Sequence, residues 1–281
     1  IAESARVSAN ILGDALEVVI PFKRDQVAAG ENPALVARSR ALGFLAVGLG
    51  YYAFDRYEQA LNYFDQAVKT PGWLDEAGKE IAYLMRGNAR VRLIGIQLQR
   101  LDITPEELQT VQADLPLAQA DYQKAWEVTE GTYGRALIGL GGVAYLQSMQ
   151  VPGVFTPETV NEALLAQAEA YFKQALALPG QPPEYNLPAK AAFSLGQLYQ
   201  VRGEAFSQPE QYDQAEAEYQ QVIQAYQAGA VALQEFATQA YARLGLLAIN
   251  RGELENAFNQ FEKALEIASP YYQAIYTSSI A

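Results

Sequence analysis

Four pairs of closely spaced carboxylates, Asp75/Glu76, Glu106/Glu107, Glu216/Glu218 and Glu253/Glu255, are the residues whose types could do general acid–base work. Glycoside hydrolysis uses two such groups facing each other across a bond. Asp75/Glu76 and Glu106/Glu107 stand at expected helix starts, where negative charge is favoured by the helix dipole. Glu216/Glu218 and Glu253/Glu255 fall on polar faces or in turns, so none of the four reads as a catalytic pair. The chain has no His and no Cys. That removes imidazole bases, thiolate nucleophiles, disulfides and the usual zinc ligands. Gly139, Gly141 and Gly142 lack the Lys-Ser/Thr that follows a phosphate-binding loop, and close helix packing explains them better. No catalytic residue, metal site or cofactor is expected. The one basic concentration is Arg86, Arg90, Arg92 and Arg100. Arg86 and Arg90 share a helix face at four-residue spacing while Arg92 points elsewhere. Pairing with carboxylates of an adjacent helix, or solvation, is favoured over an anion site.

The elements that carry these residues are helical. Of 281 residues, 50% are apolar or aromatic and 19% charged, which suits a folded chain. The net charge of -12 is uneven. Residues 1–100 sum to +1 and residues 101–281 to -13. The acidic portion argues against nucleic acid, whose phosphates need clustered cations, and against an anionic membrane surface. The most apolar run, Ala41 to Phe54, is too short for a membrane span and reads as a buried helix. No signal-peptide pattern follows Ile1, so any anchor or targeting signal is expected outside this segment. Absence of Cys fits any compartment.

One unit recurs: an Ala, an aromatic four residues on, and a small residue three further. It appears as Ala60/Phe64/Ala67, Ala118/Tyr122/Ala125, Ala168/Phe172/Ala175 and Ala257/Phe261/Ala264, with Ala215/Tyr219/Val222 as a fifth copy. Those offsets put all three side chains on one helical face. Upstream lies a second helical pattern around a glycine, as in Phe44, Val47, Gly48, Tyr51 and in Tyr241, Leu244, Gly245, Ala248. Gly48 to Ala60 and Gly245 to Ala257 are each twelve residues apart, and Pro71 and Pro270 stand where a second helix should stop.

This pattern resembles the tetratricopeptide repeat, W-x2-L-G-x2-Y, then A-x3-F, then Pro, in ~34 residues. The resemblance covers residues 34–271. It implies an all-α, right-handed superhelical stack of antiparallel helix pairs, a TPR-like α-α superhelix. In the three middle units the separation grows, with Gly87 to Ala118, Gly142 to Ala168 and Gly196 to Ala215 as the pairs, so long inserts are expected there. In the second unit Leu84, Gly87 and Val91 are taken as inward, since Arg86 and Arg90 fall where the family has apolar residues. Thr104-Pro105-Glu106-Glu107 reads as a capping box with Pro at the first helical position, and Thr156-Pro157 and Gln208-Pro209 as further helix starts. Residues 1–32 are expected to hold a capping helix, over 3–20, and a connector. Residues 33–281 are expected to form the repeat domain, about five helix pairs plus a short C-terminal helix.

The resemblance further implies that the first helix of each pair lines a concave groove. Offsets from the glycine then nominate Leu45, Leu49 and Tyr52 in the first unit and Leu84, Asn88 and Val91, with Arg92, in the second. They nominate Gly139, Val143 and Leu146 in the third, and Phe193, Gln197 and Gln200, with Lys190, in the fourth. The fifth supplies Ala242, Leu246 and Ile249. The expected peptide-binding set is Leu45, Leu49, Tyr52, Asn88, Arg92, Lys190, Phe193 and Gln197. For Leu45, Leu49 and Tyr52 a core placement is an open alternative. Asn88 and Arg92 are expected to carry no core packing. The groove is mostly apolar, so an extended or helical apolar segment is a better guest than a carboxylate. The expected function is a non-catalytic protein- or peptide-binding scaffold. Self-association through apolar faces is the alternative, and a helical-array enzyme using carboxylates a remote one.

Overall fold

The structure, a computed structural model, describes residues 33–70, 79–98, 104–151 and 153–268. The expected helix over 3–20, the connector 21–32 and the short C-terminal helix lie outside these residues, as do Pro71, Asp75/Glu76, Arg100 and Pro270. The described residues are helical apart from turns and one isolated bridge between Met149 and Val160. They fall into two compact units that part between Ser148 and Met149. The division lies inside the third expected repeat.

The first unit holds α1 (Pro33–Ala53), α2 (Tyr57–Lys69), α3 (Lys79–Leu98), α4 (Pro105–Ala113), α5 (Leu115–Val128) and α6 (Gly134–Ser148). α1 packs on α2, α2 on α3, α3 on α5 and α5 on α6. The short α4 is the insert of the second repeat. Its start is capped as expected, with the Glu107 amide donating to Thr104 Oγ1 at 3.2 Å and the Thr104 amide donating to Glu107 Oε2 at 2.9 Å.

The second unit holds α7 (Glu162–Ala177), α8 (Leu187–Phe206), α9 (Glu210–Gln227), α10 (Gln234–Asn250) and α11 (Leu254–Ile267). Here too each helix packs on the next. α9 starts just past Pro209, but Thr156-Pro157 does not start a helix. Thr156 and Thr159 close a turn on each other's polar atoms, and α7 begins six residues after Thr156, where Asn161 Oδ1 accepts the Leu164 amide at 3.2 Å. Asn161 is the better cap because its side chain reaches a bare first-turn amide.

In four of the pairs the core sits where a second-helix aromatic meets a first-helix glycine. A Cβ on Gly48 would lie 2.6 Å from the Phe64 ring, on Gly196 2.7 Å from Tyr219, and on Gly245 2.7 Å from Phe261. Tyr122 is sandwiched, with Gly87 at 2.8 Å and Gly139 at 2.4 Å by the same measure. Contacts under 3 Å leave no room for a methyl group, so only glycine lets the helix axes come this near. Gly139 of α6 meets the ring of the preceding pair, unlike the other four glycines, which meet the ring of their own pair. A Cβ on Gly142 meets nothing within 4 Å.

Gly196→Ala should accordingly destabilise by ~1–3 kcal/mol through overpacking, outweighing the ~1 kcal/mol helix-propensity gain of Ala. Gly43→Ala, where a Cβ meets nothing within 4 Å, should be neutral or stabilising. Chemical denaturation of both variants checks the pair, and equal shifts would refute the close-approach account.

Candidate peptide-binding surface

Tyr52, Asn88 and Arg92 come together in the first unit. Tyr52 closes α1, its ring edge-on to Tyr57 at 5.1 Å and tilted to Phe64 at 6.4 Å. Asn88, next to the packing glycine of α3, accepts the Tyr122 hydroxyl on Oδ1 at 2.8 Å. Its Nδ2 has the sulfur of buried Met85 at 3.6 Å, a weak acceptor, and the residue is half-buried. Arg92 is exposed one turn further along α3. Its charge reaches both neighbouring phenols. Burial pushes the Tyr122 hydroxyl well above its ordinary value, with Tyr52 and Asp121 adding to the rise and Arg92 opposing it. Tyr57 is raised by burial and by its bond to Asp55.

Leu45 and Leu49 stand elsewhere. Both are buried with Leu42, Phe64, Ile81 and Met85. At four-residue spacing they share the face of α1 that α2 and α3 cover, so they belong to the core and leave the accessible surface. Leu84 is likewise buried.

In the second unit Gln197 and Lys190 remain half-exposed on α8. Phe193 is buried, its ring edge-on to Phe236 at 5.4 Å and tilted to Tyr219 at 5.9 Å. It is a core aromatic joining three helices and does not line a surface. α10, which touches α8, exposes Leu246 at 42% and Ile249 at 45%. Leu246 follows Gly245 as Gln197 follows Gly196, so the two occupy equivalent places on neighbouring first helices.

Gln200 repeats the role of Asn88. Its Oε1 accepts the buried Tyr219 hydroxyl at 3.1 Å. Wherever the ring over the glycine is Tyr within these described pairs, the first helix supplies an amide; where it is Phe64 or Phe261, no acceptor is required. The sequence carries that signal as Tyr in two of the five aromatic slots. The expectation that Asn88 carries no core packing is corrected: it satisfies a phenol that would otherwise be buried unpaired.

Arg86, Arg90, Arg202 and Arg251 join helices. Arg86 bridges α2 and α5, with Nη1 2.9 Å from Asp65 Oδ1 and Nε donating to Asp121 Oδ1 at 2.9 Å. Arg90 Nε lies 3.2 Å from Asp121 Oδ2, so the carboxylate of Asp121, 3% exposed, is held from both sides. In the second unit Arg202 of α8 binds Glu162 and Glu169 of α7 at 3.0 and 2.9 Å. Arg251, one residue past α10, binds Asp213 and Glu216 of α9, both at 2.6 Å. Partial burial raises the Asp65 and Glu169 carboxyls. Lys69 and Arg86 for Asp65, and Lys173 and Arg202 for Glu169, reverse this and hold both below the ordinary value. Among the described residues no cluster of three or more Asp or Glu could hold a metal ion, and no helix is long and apolar enough to cross a membrane.

Residues 238–271, which contain most of α10 and all of α11, match the tetratricopeptide repeat family model. The chain is a tetratricopeptide-type helical repeat. The helix pairs, the ring-on-glycine contacts and the all-α content carry the same architecture through both units. Tetratricopeptide repeats are in general protein–protein interaction modules without enzymatic activity of their own. No curated protein matches this chain.

Two outcomes are expected of this geometry. Asn88→Leu should cost ~1–3 kcal/mol by orphaning the Tyr122 hydroxyl, whereas Asn88→Leu combined with Tyr122→Phe should recover much of it. Additive losses in a double-mutant cycle would contradict the pairing. Second, carboxyls held below their ordinary values add stability above those values and lose it as pH falls through the folded-state ones. The thermal midpoint should therefore drop on acidification below the ordinary Asp and Glu values of 3.8 and 4.5, and Glu169→Gln should flatten that drop.

Proposed function

We propose that this chain is a non-catalytic scaffold that holds an apolar peptide segment, extended or helical, against the accessible rows of its first helices. The observation that carries the reading is what stays accessible there once the core is accounted for. In one unit Tyr52, the Asn88 amide and Arg92 combine an aromatic, a backbone-type donor and a cation. In the other, Leu246 and Ile249 offer apolar area beside polar Gln197 and Lys190. A peptide has carbonyls for the amide, a negative group for the guanidinium and side chains for the apolar area. Removing that area from water gives ~25 cal/mol per Å². Ordering the guest consumes much of the gain, so about micromolar affinity is expected. Both rows belong to the proposal, and so does the expectation that residues 33–281 act as one repeat domain.

A displayed library of short peptides selected on the whole chain tests this. Enriched sequences should be apolar and should bind with a Kd of about 1 µM to 100 µM. Arg92→Ala or Leu246→Asp should weaken them about tenfold, each ~1.4 kcal/mol, and Leu246→Asp should leave the unfolding midpoint unmoved. Peptides indifferent to both changes would place binding on another surface. Turnover of a substrate, lost on replacing one carboxylate, would overturn the non-catalytic part.

A further inference from the structure

Every second helix of the array carries a face for the first helix of the repeat that follows. The residue three before its packing alanine is enclosed in the first four pairs, in part by its own first helix, as Tyr57 is by Tyr52 and Tyr212 by Gly203. Tyr57, Leu115 and Leu165 are buried and Tyr212 is half-buried, but the fifth equivalent, Leu254, is 71% exposed. α3, α6, α8 and α10 cover the first four faces, and among the described residues no helix follows α11.

One slot in these interfaces is decisive. It pairs the residue six after the glycine of the incoming helix with the residue one after the alanine of the helix it covers. Arg202 meets Glu169 there, and Arg251 meets Glu216. The same offsets select Phe258 on α11, 63% exposed, and Phe54 just past α1, 74% exposed. Phe54 belongs to the first described incoming helix and Phe258 to the last described covered helix. They are the unmatched halves of one slot, and both are phenylalanine.

The surroundings agree. The α3 residues that face α2 include Ala82, Met85 and Ala89; at the same offsets from its glycine α1 has Gly43, Ala46 and Gly50. A Cβ on Gly43 or Gly50 meets nothing within 4 Å, and Val47, Gly50, Tyr51 and Phe54 line a shallow apolar depression. α1 contains Arg38 and Arg40 and no carboxylate, whereas α11 contains Glu255, Glu262 and Glu266 against Lys263.

We propose that a second copy of this chain is the occupant: α1 of one molecule docks on α11 of another, seating Phe258 beside Gly50 and Phe54. The contact is heterologous, so each molecule keeps one unused face of each kind and association continues end to end unless the rotation closes a ring. It uses surfaces different from the peptide-binding rows and stands or falls separately from them.

Sedimentation velocity of the whole chain over a range of concentrations should show species growing in steps of 30.8 kDa. Phe54→Glu and Phe258→Glu each alter an exposed side chain, so each variant should keep the wild-type unfolding midpoint and sediment as a monomer. Mixed in equal amounts, they should form a heterodimer and nothing larger. The former supplies an intact Phe258 face, the latter an intact Phe54 face, and the remaining pair sets Glu against Glu. A wild-type chain that stays monomeric throughout overturns the proposal. So does wild-type association without a heterodimer in the mixture, the result for a like-with-like contact. A lowered unfolding midpoint for Phe54→Glu in a monomeric wild type also overturns it.

Discussion

The approach of an aromatic ring to a glycine backbone sets the spacing on which the rest of this structure depends. Phe64, Tyr122, Tyr219 and Phe261 are almost or largely enclosed, and each lies where one methyl group on the facing helix would collide with it. Close approach lets the flanking alanines, Ala60, Ala118, Ala215 and Ala257, come into contact with the partner helix, so small side chains can fill a core without cavities. The choice between Phe and Tyr at this slot then propagates. A Tyr hydroxyl driven into the core needs an acceptor, and Asn88 and Gln200 are spent on that duty.

Successive repeats are joined by charge as well as by apolar area. Arg86, Arg202 and Arg251 each leave an incoming helix to reach a carboxylate on the helix before it, and Arg86 also binds Asp121 of α5. Guanidinium suits this because its fork can serve two carboxylates at once, as Arg86 and Arg251 both do. Part of the excess of Asp and Glu is therefore internal, since each of these arginines answers two of them. Pairs that are half exposed contribute modestly, whereas Asp121, almost fully buried, depends on Arg86 and Arg90 together.

For the proposed peptide binding, the nominated side chains divide into core and accessible ones. Leu45, Leu49 and Phe193 leave the surface and stiffen the helices that present Tyr52, Asn88, Arg92, Gln197, Leu246 and Ile249. The ends of the described array keep large apolar groups in places that are filled between repeats. A repeat architecture buries its core only by stacking, so an unstacked terminal face is costly in water and invites another helix.

Spacing was legible without coordinates. The Ala-aromatic-Ala triplets, the glycines at 48, 87, 196 and 245, and the capping box at 104–107 depend on helical periodicity and on one residue's reach to its near neighbours. These are local properties, so the all-α repeat and its helix pairs could be read from residue order. The rotation of each helix about its own axis could not. Whether Leu45 faces a groove or the core, whether Gly139 or Gly142 touches Tyr122, and whether Asn88 binds a guest or a phenol differ by a fraction of a turn. Asp121 and Arg86 are 35 residues apart, and no periodicity links them. Those questions were decided by tertiary packing, because rotation is set by which side chains of a distant helix fill the space opposite, and that volume exists only after the helices have met.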